Sequence, residues 1–171
     1  MDVPFCLLDV FTDVPFAGNQ LCVIPDPPAG LDASAMHTLT REIGFSETTF
    51  VTAVRDDGYD VRIFTPDAEL AFAGHPTIGT AFVLVSEGRV APSLVQRSAA
   101  GDVPVEVDLA NGRATMHQLP PVFGVPFDDR AAVAVAAGLE VADLVDGLPI
   151  VSADNLDDAA QKIVAAVERG K

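Results

Sequence analysis

Lysine is nearly missing from this chain of 171 residues. Only Lys162 and Lys171 occur, both within the last ten positions and outside any apolar, pocket-like context. A pyridoxal Schiff base needs a lysine inside the site, so that cofactor is not expected, and no other cofactor is called for. Cysteine is also scarce. Cys6 and Cys22 sit in the apolar stretches FCLLDV and QLCVIP, without CxxC spacing or a histidine companion. Buried free thiols in a reducing cytoplasm are expected there, not a metal site or a redox pair. No apolar run approaches the ~18 residues of a membrane-spanning helix, and the opening MDVPF has no basic residues, so a soluble, untargeted protein is expected. Positive charge is short too. The net charge is -15 and the pI about 4.2, with carboxylates spread along the chain, which repels nucleic acid and anionic membranes. A small anionic metabolite must therefore be held by local donors: backbone N–H groups, a histidine or an isolated arginine.

What remains is a folding sequence, 49% hydrophobic and 20% charged, long enough for one domain with a real core. Phe5 to Phe11 and Leu21 to Ile24 read as strands around the turn residues Pro15, Gly18 and Asn19. Leu31, Ala35, Met36, Leu39 and Ile43 recur at helical spacing, with Asp32 as cap and Gly44 as stop. Strands are expected over Thr48 to Val54 and Tyr59 to Phe64, joined by a hairpin at Asp57-Gly58. A helix from Pro76 to about Ser86, apolar on all sides, must be buried. Strands follow at Val90 to Gln96, Val103 to Leu109 and Ala114 to Gln118, then helices over Asp128 to Ala137 and Leu156 to Val167, the last capped by Asp154 or Asn155. This order predicts an α+β fold, with a mostly antiparallel curved sheet wrapped round the helix after Gly74 and a short helical C-terminal extension.

The stretch ELAFAGHPTIGT places a histidine where an apolar run becomes a helix. A proline at the first helical position with glycine before it marks a helix start, whose unpaired N–H groups and positive dipole end attract anions. His75 there can donate to a substrate carboxylate or move a proton; it can also simply bond a carbonyl. The Gly74 to Gly79 spacing mimics a phosphate-binding P-loop, but Thr80 occupies the place of the required lysine. In GFSETTF, Glu47 lies where helix gives way to strand, flanked by hydroxyl residues able to orient a carboxylate for acid/base work, although a solvated edge-strand glutamate fits the spacing as well. His37 and His117 are expected to be structural.

Three motifs, FTDVPFAGNQLCVI, IGFSETTFV and FTPDAELAFAGHPTIGTAFVL, occur in this order and together resemble the N-terminal half of the phenazine-biosynthesis PhzF-like family, from about Phe5 to about Leu119. The resemblance implies a fold like that of diaminopimelate epimerase, in which two pseudo-equivalent domains each roll a sheet round a central helix and the active site lies between them. It implies Glu47 as catalytic acid/base and His75 as active-site histidine, with Asn19, Ser46, Gly74, Pro76 and Thr77 lining a substrate pocket and no metal. Where the epimerases carry a catalytic cysteine just before this helix, this chain has Ala73, so a two-thiol racemase is not expected. The implied activity is that of a cofactor-independent isomerase moving a proton within a small, cyclic, carboxylate-bearing, amino-acid-like metabolite.

The family's second half carries a motif of the type Asp-Pro-x-Thr-Gly-Ser that is not found here. The expected organisation is a PhzF-like domain over 1–120 and an interdomain-like segment with C-terminal helices over 121–171, truncated relative to the family. The opposite wall of the cleft is then expected from a second copy or from a separate second-half subunit. The alternative is a non-catalytic half-domain acting as a small-molecule binding or assembly subunit.

Overall fold

The computed structural model of the chain describes residues 2–121 and 130–137. The chain divides into two compact units, residues 1–121 and 122–171. In the first, strands β1 (Cys6–Val10) and β2 (Asn19–Ile24) lead into helix α1 (Ala33–Ile43), then β3 (Glu47–Arg55), β4 (Gly58–Phe64) and the two-residue β5 (Glu69–Leu70). Helix α2 (Gly74–Ser86) follows, then β6 (Ser93–Ser98), β7 (Gly101–Asp108) and β8 (Arg113–Met116). The second unit contributes α3 (Arg130–Ala137); the helix expected over Leu156 to Val167 lies outside the described residues.

Local chemistry sets α1 as its sequence predicts. The Asp32 side chain accepts from the Ala35 N–H at 2.8 Å, and the helix ends at Gly44 in the left-handed conformation. Its apolar stripe, including Met36, Leu39 and Ile43, packs on Cys22, Ile24, Phe50 and Phe64, covering one face of the sheet.

The strands form one sheet in the order β1-β2-β3-β4-β6-β7-β8, with β5 added to β4. Five of its pairings are antiparallel, but β2 pairs β3 and β4 pairs β6 in parallel, so the sheet is mixed. The physical reason is connectivity: α1 crosses from β2 to β3 and α2 from β4 to β6, and a crossover returns the chain in the same direction. The β3–β4 turn is made by Asp56 and Asp57, and Gly58 is already paired with Arg55. Helix α2 touches β1, β2 and β3 at one end of the sheet and β7 and β8 at the other, so the sheet curls around it.

Burial of α2 follows from its composition. Its Ala81, Leu84 and Val85 pack on Val51, Tyr59, Val61, Ile63, Val103 and Val105, while Val83 packs on Val10, Leu21 and Val23. Each large apolar side chain enclosed this way stabilises the fold by about 1.5–3 kcal/mol. At Gly79 the helix packs close against the sheet: a Cβ there would lie 2.6 Å from Leu21 Cδ2 and 2.9 Å from Val10 Cγ2.

Of the two thiols only Cys22 is buried; Cys6 is partly exposed, with its Sγ 3.6 Å from Glu87 Oε1, because β1 is an edge strand. Burial pushes the Cys22 thiol up to about 11. Cys22 is therefore expected to stay unalkylated by iodoacetamide at pH 8 in the native protein and to react once denaturant is added. Peptide mass spectrometry checks this, and native labelling of Cys22 would contradict the packing described.

Candidate active site

Parallel pairing of β2 and β3 brings the N-terminal ends of both strands to the same edge of the sheet. Leu21 lies opposite Glu47, so Asn19, which opens β2, stands beside Ser46 and Glu47. Helix α2 begins at this edge. Its N-cap is Ala73, with no side-chain cap, so Gly74, His75 and Pro76 form the first turn. The proline is thus third in the helix, not first as the sequence predicts. The position is compatible because its missing N–H belongs to the turn that has no intrahelical acceptors. The amides of Gly74 and His75 remain as donors at the positive end of the helix.

His75 and Glu47 face each other here. Nε2 of His75 lies 3.5 Å from Oε2 of Glu47, and the side chains are 8% and 17% exposed. Neither atom has a hydrogen-bond partner among the described residues. Leaving such buried atoms unpaired costs about 1–3 kcal/mol each, so both are left to pair with a ligand's polar group beside them. Behind the imidazole, Asn19 Nδ2 is 3.2 Å from His75 Nδ1, and Ser46 Oγ donates to Asn19 Oδ1 at 3.4 Å. With the amide placed so that its NH2 faces the ring, Nδ1 accepts and a neutral imidazole carries its proton on Nε2, toward Glu47.

The separation of these groups is held by the core. Two residues after Glu47, Thr49 Oγ1 lies 2.8 Å from Thr80 Oγ1 on α2, a fully enclosed bond between the elements that carry Glu47 and His75. Phe11 stands on the solvent side, its ring centroid 6.5 Å from that of His75. Both Phe11 and Phe16 adopt φ near 67°, an unusual conformation for a bulky residue, and are 72% and 94% exposed.

The structure therefore brings together Asn19, Ser46, Glu47, Gly74 and His75. Pro76 is buried and has no N–H, so it shapes the turn and has nothing to donate. Thr77, expected to line the pocket, has its hydroxyl engaged within the fold. It is fully buried, and its hydroxyl donates inward to the Ala73 carbonyl at 2.8 Å while accepting from Gln96 Nε2 at 2.7 Å. Gln96 and Tyr59 are the residues sequence reasoning missed near this turn. A glutamine two positions after Leu94 in a strand shares an apolar face, and that was the available signal. Away from the site, His37 Nε2 bonds the Pro66 carbonyl at 2.9 Å, as a structural histidine should. His117 is exposed, 4.0 Å from Glu106.

A protein-family model described as phenazine biosynthesis-like protein (PhzC-PhzF) matches residues 8–170. The uncharacterized isomerase YddE of Escherichia coli K12 is 34% identical over 148 residues, 84% of this chain and 50% of that protein. Trans-2,3-dihydro-3-hydroxyanthranilate isomerase of Pseudomonas aeruginosa is 34% identical over 139 residues, 80% of this chain and 49% of that protein. Among solved structures, a predicted epimerase from Pseudomonas aeruginosa superposes with a TM-score of 0.71 at 31% identity, over 85% of this chain and 54% of that one. The chain spans half or less of the length of the curated relatives it matches.

Proposed function

The chain belongs to the phenazine biosynthesis-like family, and from that premise we propose that it is a cofactor-independent isomerase that moves a proton between carbons of a small, cyclic, carboxylate-bearing metabolite. What supports this is the pair of unpartnered buried atoms, Glu47 Oε2 and His75 Nε2, facing each other at the start of α2. The Glu47 carboxylate takes a proton from a C–H bond conjugated with the substrate carboxyl group, leaving the electron pair delocalised as an enolate. The same carboxyl group, its proton exchanged with solvent, then protonates another carbon of the conjugated system. No electrons are gained or lost, and the product is an isomer. The Nε2–H of His75 and the amides of Gly74 and His75 hold the substrate carboxylate and the developing enolate, with the helix dipole adding to the field. Positioned acid/base catalysis is worth roughly 10²–10⁴-fold, and preorganised donors at a developing anion about another 10²–10³-fold.

The test is incubation in D2O with trans-2,3-dihydro-3-hydroxyanthranilate, the compound named for the Pseudomonas aeruginosa relative, and with a panel of cyclic amino and hydroxy acids. Enzyme-dependent gain of one carbon-bound deuterium is expected for at least one compound. A panel left wholly unlabelled by folded protein would count against the isomerase.

Asn19 gives a sharper check, because Asp at this position reverses the polarity presented to Nδ1 and drives the imidazole proton away from Glu47. Asn19→Asp is expected to lower the exchange rate by about 10²-fold, with a matching change in the imidazole ¹⁵N shifts. Unchanged shifts would show that Asn19 does not set the tautomer.

The exposed ring of Phe11 beside His75 favours completion of the site by another protein surface, a second copy or a separate subunit. Light scattering addresses that: exchange by a strict monomer removes the need for a partner.

A further inference from the structure

One buried polar chain takes no direct part in the chemistry above. Tyr59 on β4 and Gln96 on β6 are register partners in the parallel pairing of those strands, and both are wholly enclosed. The Tyr59 hydroxyl donates to Gln96 Oε1 at 2.8 Å. Gln96 Nε2 donates to Thr77 Oγ1 at 2.7 Å, and Thr77 Oγ1 donates to the carbonyl of Ala73 at 2.8 Å. The Tyr59 hydroxyl also lies 3.4 Å from the Thr77 carbonyl, a second contact with the same turn. With the tyrosine O–H given to the amide oxygen at the shorter distance, the amide NH2 faces the threonine oxygen, and the threonine hydroxyl, having accepted from nitrogen, donates to the carbonyl. The series runs one way, from the sheet into the N-cap of α2.

That terminus is the one that carries His75. Ala73, which has no side chain able to cap, is the first residue of the turn, Thr77 closes it, and His75 lies between them. An enclosed glutamine in a strand of otherwise apolar inward residues is expensive unless every polar atom is answered, and an apolar residue of similar volume would serve packing as well. We propose that Gln96, acting through Thr77, is a positioning residue. By fixing the rotation of the first turn of α2, it holds the His75 imidazole at its 3.5 Å separation from Glu47. The catalytic part of this inference rests on the isomerase reading; the geometric part does not.

Thr77→Val removes one oxygen at nearly constant volume, Thr77→Ser retains it, and Gln96→Leu removes the amide. Two readouts separate the questions: the ¹⁵N shifts of the His75 imidazole, which need no turnover, and the rate of deuterium incorporation. Thr77→Val and Gln96→Leu are each expected to move the His75 shifts and to lower kcat at least tenfold with KM changed less, and Thr77→Ser to restore both toward wild type. If both variants change only the melting temperature, leaving His75 shifts and kcat as they were, the chain of bonds is structural and the inference is overturned. Shifts that move in a protein with no exchange activity support the positioning role while counting against the isomerase. Should Gln96→Leu not fold, the Thr77 pair decides the matter alone.

Discussion

Glu47→Gln is expected to reduce deuterium exchange by about 10³-fold or more while leaving the protein as stable as before, or more stable by up to about 1 kcal/mol. The amide is nearly isosteric with the carboxylate and cannot accept a proton from carbon, so the loss falls on the chemical step. Stability should not suffer because Oε2 makes no hydrogen bond that the fold would lose. The uncharged amide removes the cost of burying an unpaired charged oxygen. Rising stability with falling activity is the signature of a group kept for chemistry. Paired measurements of exchange rate and urea midpoint check it. A variant that unfolds would identify Glu47 as a structural residue, and one that still exchanges at the wild-type rate would move the base elsewhere.

The second large effect concerns the fold. Gly58→Ala is expected to destabilise the protein by about 3–5 kcal/mol, a large share of the roughly 5–15 kcal/mol available to a domain. A Cβ at this position would lie 1.9 Å from the Val95 carbonyl oxygen and 2.7 Å from its carbon, both backbone atoms with no rotamer to escape into. Gly58 also has φ +155°, a conformation that L side chains resist. The strain arises at the join of β4 to β6, where Gly58 faces Val95 and the Val95 N–H bonds the Asp57 carbonyl at 2.8 Å. β7 and β8 reach the rest of the sheet through this join. Gly112→Ala is the control: φ is +62° but nothing lies within 4 Å, so only backbone strain of about 1 kcal/mol is expected. At about 2–4 °C per kcal/mol for a chain of this size, thermal melts should separate the two by several degrees or more. Equal melting temperatures would mean that β6 can shift to admit the methyl group.

The contrast between α1 and the sheet shows what the sequence alone could carry. Asp32, the apolar stripe and Gly44 act within one turn or at regular spacing, so the helix they define was legible residue by residue. The same holds for the burial of α2, apolar on every side. The parallel joins were not legible, because they depend on which distant strands meet after a crossover, and neither Leu21 nor Glu47 carries a local mark of the other. Glu47 and His75 were suggested through the three motifs; by spacing alone a solvated glutamate fitted equally well. Their facing geometry, the contact of Asn19 with His75 Nδ1 and the inward turn of Thr77 are products of three-dimensional register. The positive φ of Phe11 and Phe16 ran against local preference outright, since bulky residues seldom adopt it.

The chain has one tyrosine and no tryptophan, and that tyrosine is Tyr59, enclosed in the core and bonded to Gln96. Ultraviolet emission excited at the phenol band thus originates from a single oscillator seated beneath the opening turn of α2. Quenching, lifetime and spectral position of that signal report directly on the junction between sheet and helix, without any label being introduced.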